Sequence, residues 1–382
     1  MARATLIPIN GDVLEWAMHS LGVGVDELAQ KCGTSPEVIE SWAAGERQPT
    51  KTEFKKLVAR LRRPSTVYFL AEPPEEDPVI RAFRSPPGSA GPRTLTDLET
   101  QALTAAERIQ KVAKWIRERR GDDAVGIPDL GEVTRREALA STREFLNWPV
   151  SVQLATKSPS RAARLLREHL ERSGILVLQF SMRSDGCRGF ALHDPIAPVI
   201  AVNSAYTTPA RIFSYLHEFA HLAYGAGSIC SSVPDSELER RCEGFAAAFL
   251  MPKAAVLSFV RGRFGVGTRI STLQQVQSVA NHFRVSLRAA AYRLQRLEVA
   301  DRGLYATVDE EADFKAGRGW SDDNGTAGKR LREWGTSYAE LLLDAEQEGW
   351  LGRTDVLEYL SVAPRHLAEV RSRIENQVGV EG

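Results

Sequence analysis

The pentad His217-Glu218-Phe219-Ala220-His221 constrains this chain more than any other feature, because its two histidines can act together only on an α-helix. Four residues turn an α-helix through about 400°, so both imidazoles leave one face, one turn apart. There each can offer a nitrogen to one ion, and the spacing predicts a tetrahedral zinc site with His217 and His221 as two ligands. Glu218 sits one step round the helix, placed to take a proton from a water attacking a peptide carbonyl. With 7 histidines in 382 residues, such a pair seldom arises by chance. Phe213, Leu216, Ala220 and Ala223 make the same stretch apolar, and imidazoles buried among them need partners, which an ion supplies.

A catalytic zinc takes three protein ligands and keeps one open place. The next helical stretch offers Glu239 and Glu243, four residues apart and therefore on one face, beside an apolar stripe of Leu238, Cys242, Phe245 and Phe249. Two like charges on a partly buried face are unfavourable unless a positive group faces them. A solvated acidic edge is the alternative reading.

The run Glu239-Arg-Arg-Cys-Glu-Gly-Phe-Ala-Ala-Ala-Phe-Leu-Met-Pro252, with His217-Glu-Phe-Ala-His-Leu222 and Val202-Asn203 before it, resembles the ImmA/IrrE family of bacterial and phage metallopeptidases. Leu28-Ala29, Gly33, Ile39, Trp42, Gly45 and Pro49-Thr50 resemble the XRE-type helix-turn-helix that many members carry in front. The resemblance implies a gluzincin-like zinc endopeptidase with one Zn2+ per chain. By that likeness Glu239 is the third ligand and Glu243 steadies a ligand histidine. The family usually has asparagine where this chain has Glu243. A carboxylate there can still accept an imidazole N–H, making the histidine a more basic ligand. Characterised relatives cleave a helix-turn-helix repressor, often under DNA-damage or stress control. The expected substrate is therefore a repressor or antitoxin-like partner in a stress or mobile-element response. The competing reading is a DNA-binding transcriptional regulator whose peptidase fold only senses metal or a partner. Glu218 favours the enzyme, since a sensory zinc site needs no general base.

The period of the apolar residues divides the chain and predicts a mainly α protein with a small β-sheet (α+β). Residues 8–72 read as short helices: Val13, Leu14, Trp16 and Ala17, then Leu28, Ala29 and Cys32, which Gly33 ends. Ser35 and Pro36 open another helix running to Gly45, the helix-turn-helix layout. Residues 73–129 comprise a linker, Ser85-Pro86-Pro87-Gly88-Ser89-Ala90-Gly91-Pro92, and a long amphipathic helix over 95–120 that could bridge two domains. Residues 130–300 are expected to form the zincin-like domain. They carry a helix over 158–173, strands over 175–180, 189–193 and 199–203, the histidine helix opened by Thr208-Pro209, and helices near 235–250, 253–264, 272–283 and 286–298. The last pair carries Arg284, Arg288, Arg293 and Arg296, read as a solvated face. Residues 301–382 read as a Gly/Asp-rich loop over 316–329 followed by two or three helices. The strand ending at Asn203 is either a core strand or an exposed edge on which an extended substrate could pair. Tyr206, Tyr215 and Tyr224 are candidates to stabilise an oxyanion.

A helix-turn-helix reads DNA when its second helix presents Arg, Lys, Asn or Gln to base edges, and this one presents Glu37 and Glu40. Basic residues begin after it, with Arg47, Lys51, Lys55, Lys56, Arg60, Arg62 and Arg63 as possible phosphate contacts. Weak DNA binding and protein docking both stay open for this module. Over the whole chain Lys plus Arg equals Asp plus Glu at 49 each, so no global field draws it to a polyanion or membrane. No apolar run nears the roughly 18 to 20 residues that span a bilayer, and the N-terminus lacks a signal-type core. A cytoplasmic protein is expected. Cys32, Cys187, Cys230 and Cys242 lack metal-type spacing and are expected to be reduced and mostly packed in the core.

Overall fold

The computed structural model describes residues 6–20, 23–61, 65–73, 96–131, 133–183, 187–225, 236–301, 303–308, 313 and 326–378. The 85–92 linker, Arg62, Arg63, Cys230 and most of the 316–329 loop lie outside the described residues. The chain divides into two units, one formed by residues 1–77 and 92–104, the other by 78–91 and 105–382.

In the first unit α1 (Gly11–Ser20), α2 (Val25–Cys32), α3 (Pro36–Ala43), α4 (Lys51–Leu61) and a 3-10 turn (Ser65–Phe69) precede α5 (Asp97–Arg120), whose first turns to Thr104 are counted here. Gly33 ends α2 at φ 71°, a left-handed conformation open to glycine, and its N–H returns to the Ala29 and Gln30 carbonyls. Ser35 takes the N-cap position of α3 and Pro36 its first turn, yet no side-chain cap forms. The Ser35 hydroxyl instead donates to the Glu37 carboxylate and lowers its pKa. The helix stops at Ala43, two residues before the expected Gly45. Val13, Leu14, Leu28, Ile39, Trp42 and Leu57 close the core.

The second unit contains the rest of α5, then α6 (Arg135–Phe145), α7 (Val150–Ala155), α8 (Pro159–Arg172), β1 (Leu176–Phe180), β2 (Gly189–Leu192), β3 (Val199–Asn203), α9 (Thr208–Ala223), α10 (Ser236–Leu250), α11 (Lys253–Phe264), α12 (Leu273–Phe283) and α13 (Leu287–Arg296). Then follow α14 (Ala327–Trp334), α15 (Thr336–Gln347), α16 (Arg353–Leu360) and α17 (Pro364–Val378). The architecture is mainly α with one small sheet, as the sequence predicts. Two outcomes differ from expectation. Four helices follow residue 326 rather than two or three, because Gly335 at φ 87° splits α14 from α15 and turns at Gly349 and Ser361 separate the rest. Helices α6 and α7 also fall where none was assigned.

The three strands lie in the order β1-β3-β2, with β1 parallel and β2 antiparallel to β3. Leu176 pairs with Val199 and Phe180 with Asn203; on the other side Gly189 pairs with Val202. Every residue of β3 is buried. The reading of this strand as an exposed edge is therefore wrong: it has a neighbour on each side, as its unbroken apolar run Val-Ile-Ala-Val suits. Asn203 ends it with a buried amide that donates to the Cys187 carbonyl at 2.8 Å and accepts from Met182 and Ala205 N–H groups. Helix α9 packs against β2, β3, α8 and α10, which puts the histidine pair at the centre of this unit's core.

Candidate metal centre

Helix α9 starts one residue earlier than the sequence suggests. Its N-cap is Thr207, with Thr208 and Pro209 in the first turn and no side-chain cap. The Thr207 hydroxyl turns instead to Asp313 Oδ1 at 3.0 Å, and Thr208 Oγ1 accepts from Arg211 at 3.0 Å. From Ile212 to Ala223 every residue is buried, so the pentad lies inside protein, with His217 and Glu218 at 0% and His221 at 3% exposure. Phe213, one turn earlier, stacks on the His217 ring with centroids 6.5 Å apart.

Helix α10 brings Glu239 up in its first turn, where a carboxylate also suits the helix dipole. His217 Nε2 and His221 Nε2 stand 3.1 Å apart. Glu239 Oε2 is 3.2 Å from the first and Oε1 3.2 Å from the second. At most one imidazole can donate along the line joining the two nitrogens, so hydrogen bonds alone do not explain three converging ligand atoms. Bonds of about 2.0–2.1 Å in tetrahedral array put ligand atoms about 3.3 Å apart. The residues present therefore fit a metal ion, and His217, His221 and Glu239 are the group that could hold one among the described residues.

Burial pushes the Glu239 carboxyl up, but hydrogen bonds from His217 and His221, and their charge, outweigh it and hold the carboxyl well below the usual range. A cation between the rings would exert the same pull. Glu218 points from the adjacent step of α9 toward β2. A Cβ built on Gly189 would lie 2.8 Å from its Oε1, so this glycine leaves the space its carboxylate occupies. The sequence shows Gly189 only as the first residue of the strand over 189–193, and nothing local marks it as the neighbour of Glu218.

Glu243 lies one turn beyond Glu239, half-buried, and its charge raises the phenol pKa of Tyr292 on α13, an effect second to burial. His221 Nδ1 is buried with no hydrogen-bond partner among the described residues, so Glu243 does not bond to it. Tyr215 is turned into the core toward Arg167 and Arg211, and burial raises its pKa. Tyr224 carries Arg241 over its ring at 4.4 Å and Tyr206 carries Arg188 at 5.0 Å. Cys32, Cys187 and Cys242 are buried and outside any disulfide.

The basic residues of the first unit are partly consumed within it. Arg47 lies 3.9 Å from Glu53, Lys56 donates to the Cys32 carbonyl at 2.8 Å, and Arg60 is buried, bonded to Glu27 and 3.5 Å from Asp97. Lys51 and Lys55 are exposed, as are Glu37 and Glu40. Of the four arginines expected on a solvated face near α13, Arg296 is exposed and the other three are turned partly or wholly inward. Arg284 donates to the Thr156 carbonyl, Arg293 is buried with its Nε on the Met251 carbonyl at 2.8 Å, and Arg288 lies over Tyr305 at 4.7 Å. Polar backbone at the ends of α7 and α10 draws two of these guanidiniums inward.

No curated protein and no solved structure matches the chain. Residues 170–295, which hold the three strands, the His–His–Glu cluster and Glu218, match the peptidase M78 family model, described as the IrrE N-terminal-like domain, and this supports a place in the ImmA/IrrE family.

Proposed function

We propose that the protein is a zinc-dependent endopeptidase with His217, His221 and Glu239 as ligands and Glu218 as general base. The observation that carries this reading is the approach of two Nε2 atoms and one carboxylate to within 3.2 Å of one another beside a buried glutamate. Zinc held there would lower the pKa of a water it binds toward about 7 and would polarise a carbonyl. Glu218 takes the proton from the attacking water at a carboxylate oxygen and returns it to the leaving amine nitrogen.

The substrate is a helix-turn-helix repressor or an antitoxin-like protein, and the helical module at the N-terminus serves to bring it in. That module touches DNA weakly through Lys51 and Lys55, which are exposed and turned to no carboxylate among the described residues. The setting is the cytoplasm; no single described helix is long and apolar enough to cross a membrane. Co-expression of wild type or Glu218→Gln with candidate repressors tests the reading. Wild type should shorten one of them, while the variant keeps its zinc and leaves that partner whole. Cleavage by the variant would remove Glu218 from its role.

A further inference from the structure

Away from the metal ligands, a cavity of about 600 Å³ opens between α6, α13 and the junction of α10 with α11. Every charged side chain on its lining is a cation: Arg135, Arg136, Arg143, Lys253, Arg293 and Arg296. Leu139, Ala248 and Leu297 supply apolar wall. We propose that this cavity binds a small organic diphosphate, a molecule with a pyrophosphoryl head and an apolar body.

Four observations carry the assignment. Arg135 and Arg136 stand at the first positions of α6, directly after its Thr134 cap, where cations oppose the helix dipole. Helix stability does not favour them there, so the helix itself does not account for this pair of cations on the cavity wall. Second, the deeper cations are fixed. Arg143 donates to the carbonyls of Trp148 and Phe249 and lies over the Phe249 ring at 4.2 Å, while Arg293 holds Met251. Burial brings both guanidiniums down to about pKa 10, and in Arg293 the nearby Arg135 and Arg296 add to it. Third, Arg135, Arg136, Lys253 and Arg296 form no salt bridge among the described residues; Arg296 lies over the Tyr292 ring at 5.9 Å, and Glu243 is the carboxylate that shares that phenol's surroundings with Arg135 and Arg296. Fourth, the lining side chains offer only N–H donors and hydrocarbon, with no acceptor and no aromatic ring. A ligand that fits has acceptor-only polar groups on an apolar remainder; a nucleobase, whose N–H groups need acceptors, fits poorly.

The volume is within the usual range of small-molecule sites. Helix α10 carries Glu239 near its start and Ala248 on the cavity wall, nine residues or about 13 Å apart along the axis. The cavity is thus a separate site on the helix that holds a candidate metal ligand.

Calorimetry on the full chain tests the proposal without requiring peptidase activity. The probes are inorganic pyrophosphate, geranyl diphosphate, ADP and a single-stranded oligonucleotide. Geranyl diphosphate should bind at least about tenfold tighter than pyrophosphate, because its chain buries methylenes on the apolar wall. ADP should bind no tighter than pyrophosphate. The double variant Arg135→Ala/Arg296→Ala changes two exposed side chains, so it should fold normally, melt like wild type and bind geranyl diphosphate about tenfold or more weakly. Ala140→Trp, at an exposed lining position, should fill the cavity and weaken geranyl diphosphate more than pyrophosphate. Failure of any diphosphate to bind overturns the proposal, as does binding unchanged in the double variant. Tighter binding of ADP than of geranyl diphosphate overturns the apolar body. An oligonucleotide that binds through these arginines while small diphosphates do not makes the patch a nucleic-acid surface instead.

Discussion

Gly189 on β2 and Glu218 on α9 occupy adjoining space that no side chain can share. A Cβ at Gly189 would stand 2.8 Å from Glu218 Oε1, 3.0 Å from its Cγ and 2.7 Å from the Ala201 carbonyl oxygen. Backbone on one side and a buried carboxylate on the other leave little room to yield. Gly189→Ala should therefore displace Glu218 or loosen the β2–β3 pairing, with peptide cleavage falling about tenfold to a hundredfold and bound metal unchanged. Kinetics and metal analysis on the purified variant decide it, and wild-type kinetics would show that the position of Glu218 is not critical.

The ligand assignment predicts an order of effects. His217→Ala and Glu239→Ala each remove an atom from the cluster and should abolish stoichiometric zinc, whereas Glu243→Ala should weaken it less, by at most about 10- to 100-fold in affinity. Competition with a chelator dye gives the affinities. Full zinc occupancy in both ligand variants would defeat the assignment, and a larger loss in Glu243→Ala would exchange the two glutamates.

Local patterns were readable and long-range partners were not. The strands begin and end within about one residue of expectation because turn residues bound each apolar run, and the histidines declare their helix by spacing alone. Helix α6 was missed although Thr134-Arg-Arg-Glu137 is a capping-box pattern, which the structure completes in both directions. The central place of β3, the closeness of Gly189 to Glu218, and the gathering of Arg135 and Arg143 with Arg293 and Arg296 all depend on residues far apart in the chain. Periodicity carries no information about such pairs. Lys56 shows the same limit: nothing local says that it will be spent on the Cys32 carbonyl at the end of α2.

Asp194, in the turn before β3, ties that turn to α5. It accepts from Lys114 Nζ at 2.8 Å and from the N–H groups of Ile196 and Ala197 at 2.8 and 2.9 Å. Burial raises its pKa, but these bonds outweigh it, so the folded value lies below the usual one. A depressed carboxyl contributes stability that is full above the unfolded pKa of about 3.9 and is lost as pH falls through the folded value. The bond from Lys114 leads the lowering and the two backbone bonds follow it, with the partial solvation of Lys114 screening its share. Asp194→Asn should cost about 1 kcal/mol in denaturant unfolding at neutral pH, and the gap should close below about pH 4. A gap constant with pH would mean that charge plays no part.

For the N-terminal module, the exposed Glu37 and Glu40 on α3 repel phosphate where a reading helix would approach a groove, and Arg47, Lys56 and Arg60 are engaged within the unit. Lys51 and Lys55 remain on the exposed side of α4. DNA affinity should then be weak, alike for different sequences and steeply salt-dependent, since each neutralised phosphate adds roughly 0.9 to the slope of log affinity against log salt. Lys51→Ala/Lys55→Ala should lower that slope by about 2 and weaken all sequences by a similar factor, while Glu37→Ala should not reduce binding. Fluorescence anisotropy with several duplexes across a salt series measures both quantities. A tight, salt-tolerant complex with one duplex, lost when residues 35–41 are changed, would instead make α3 a sequence reader despite its glutamates.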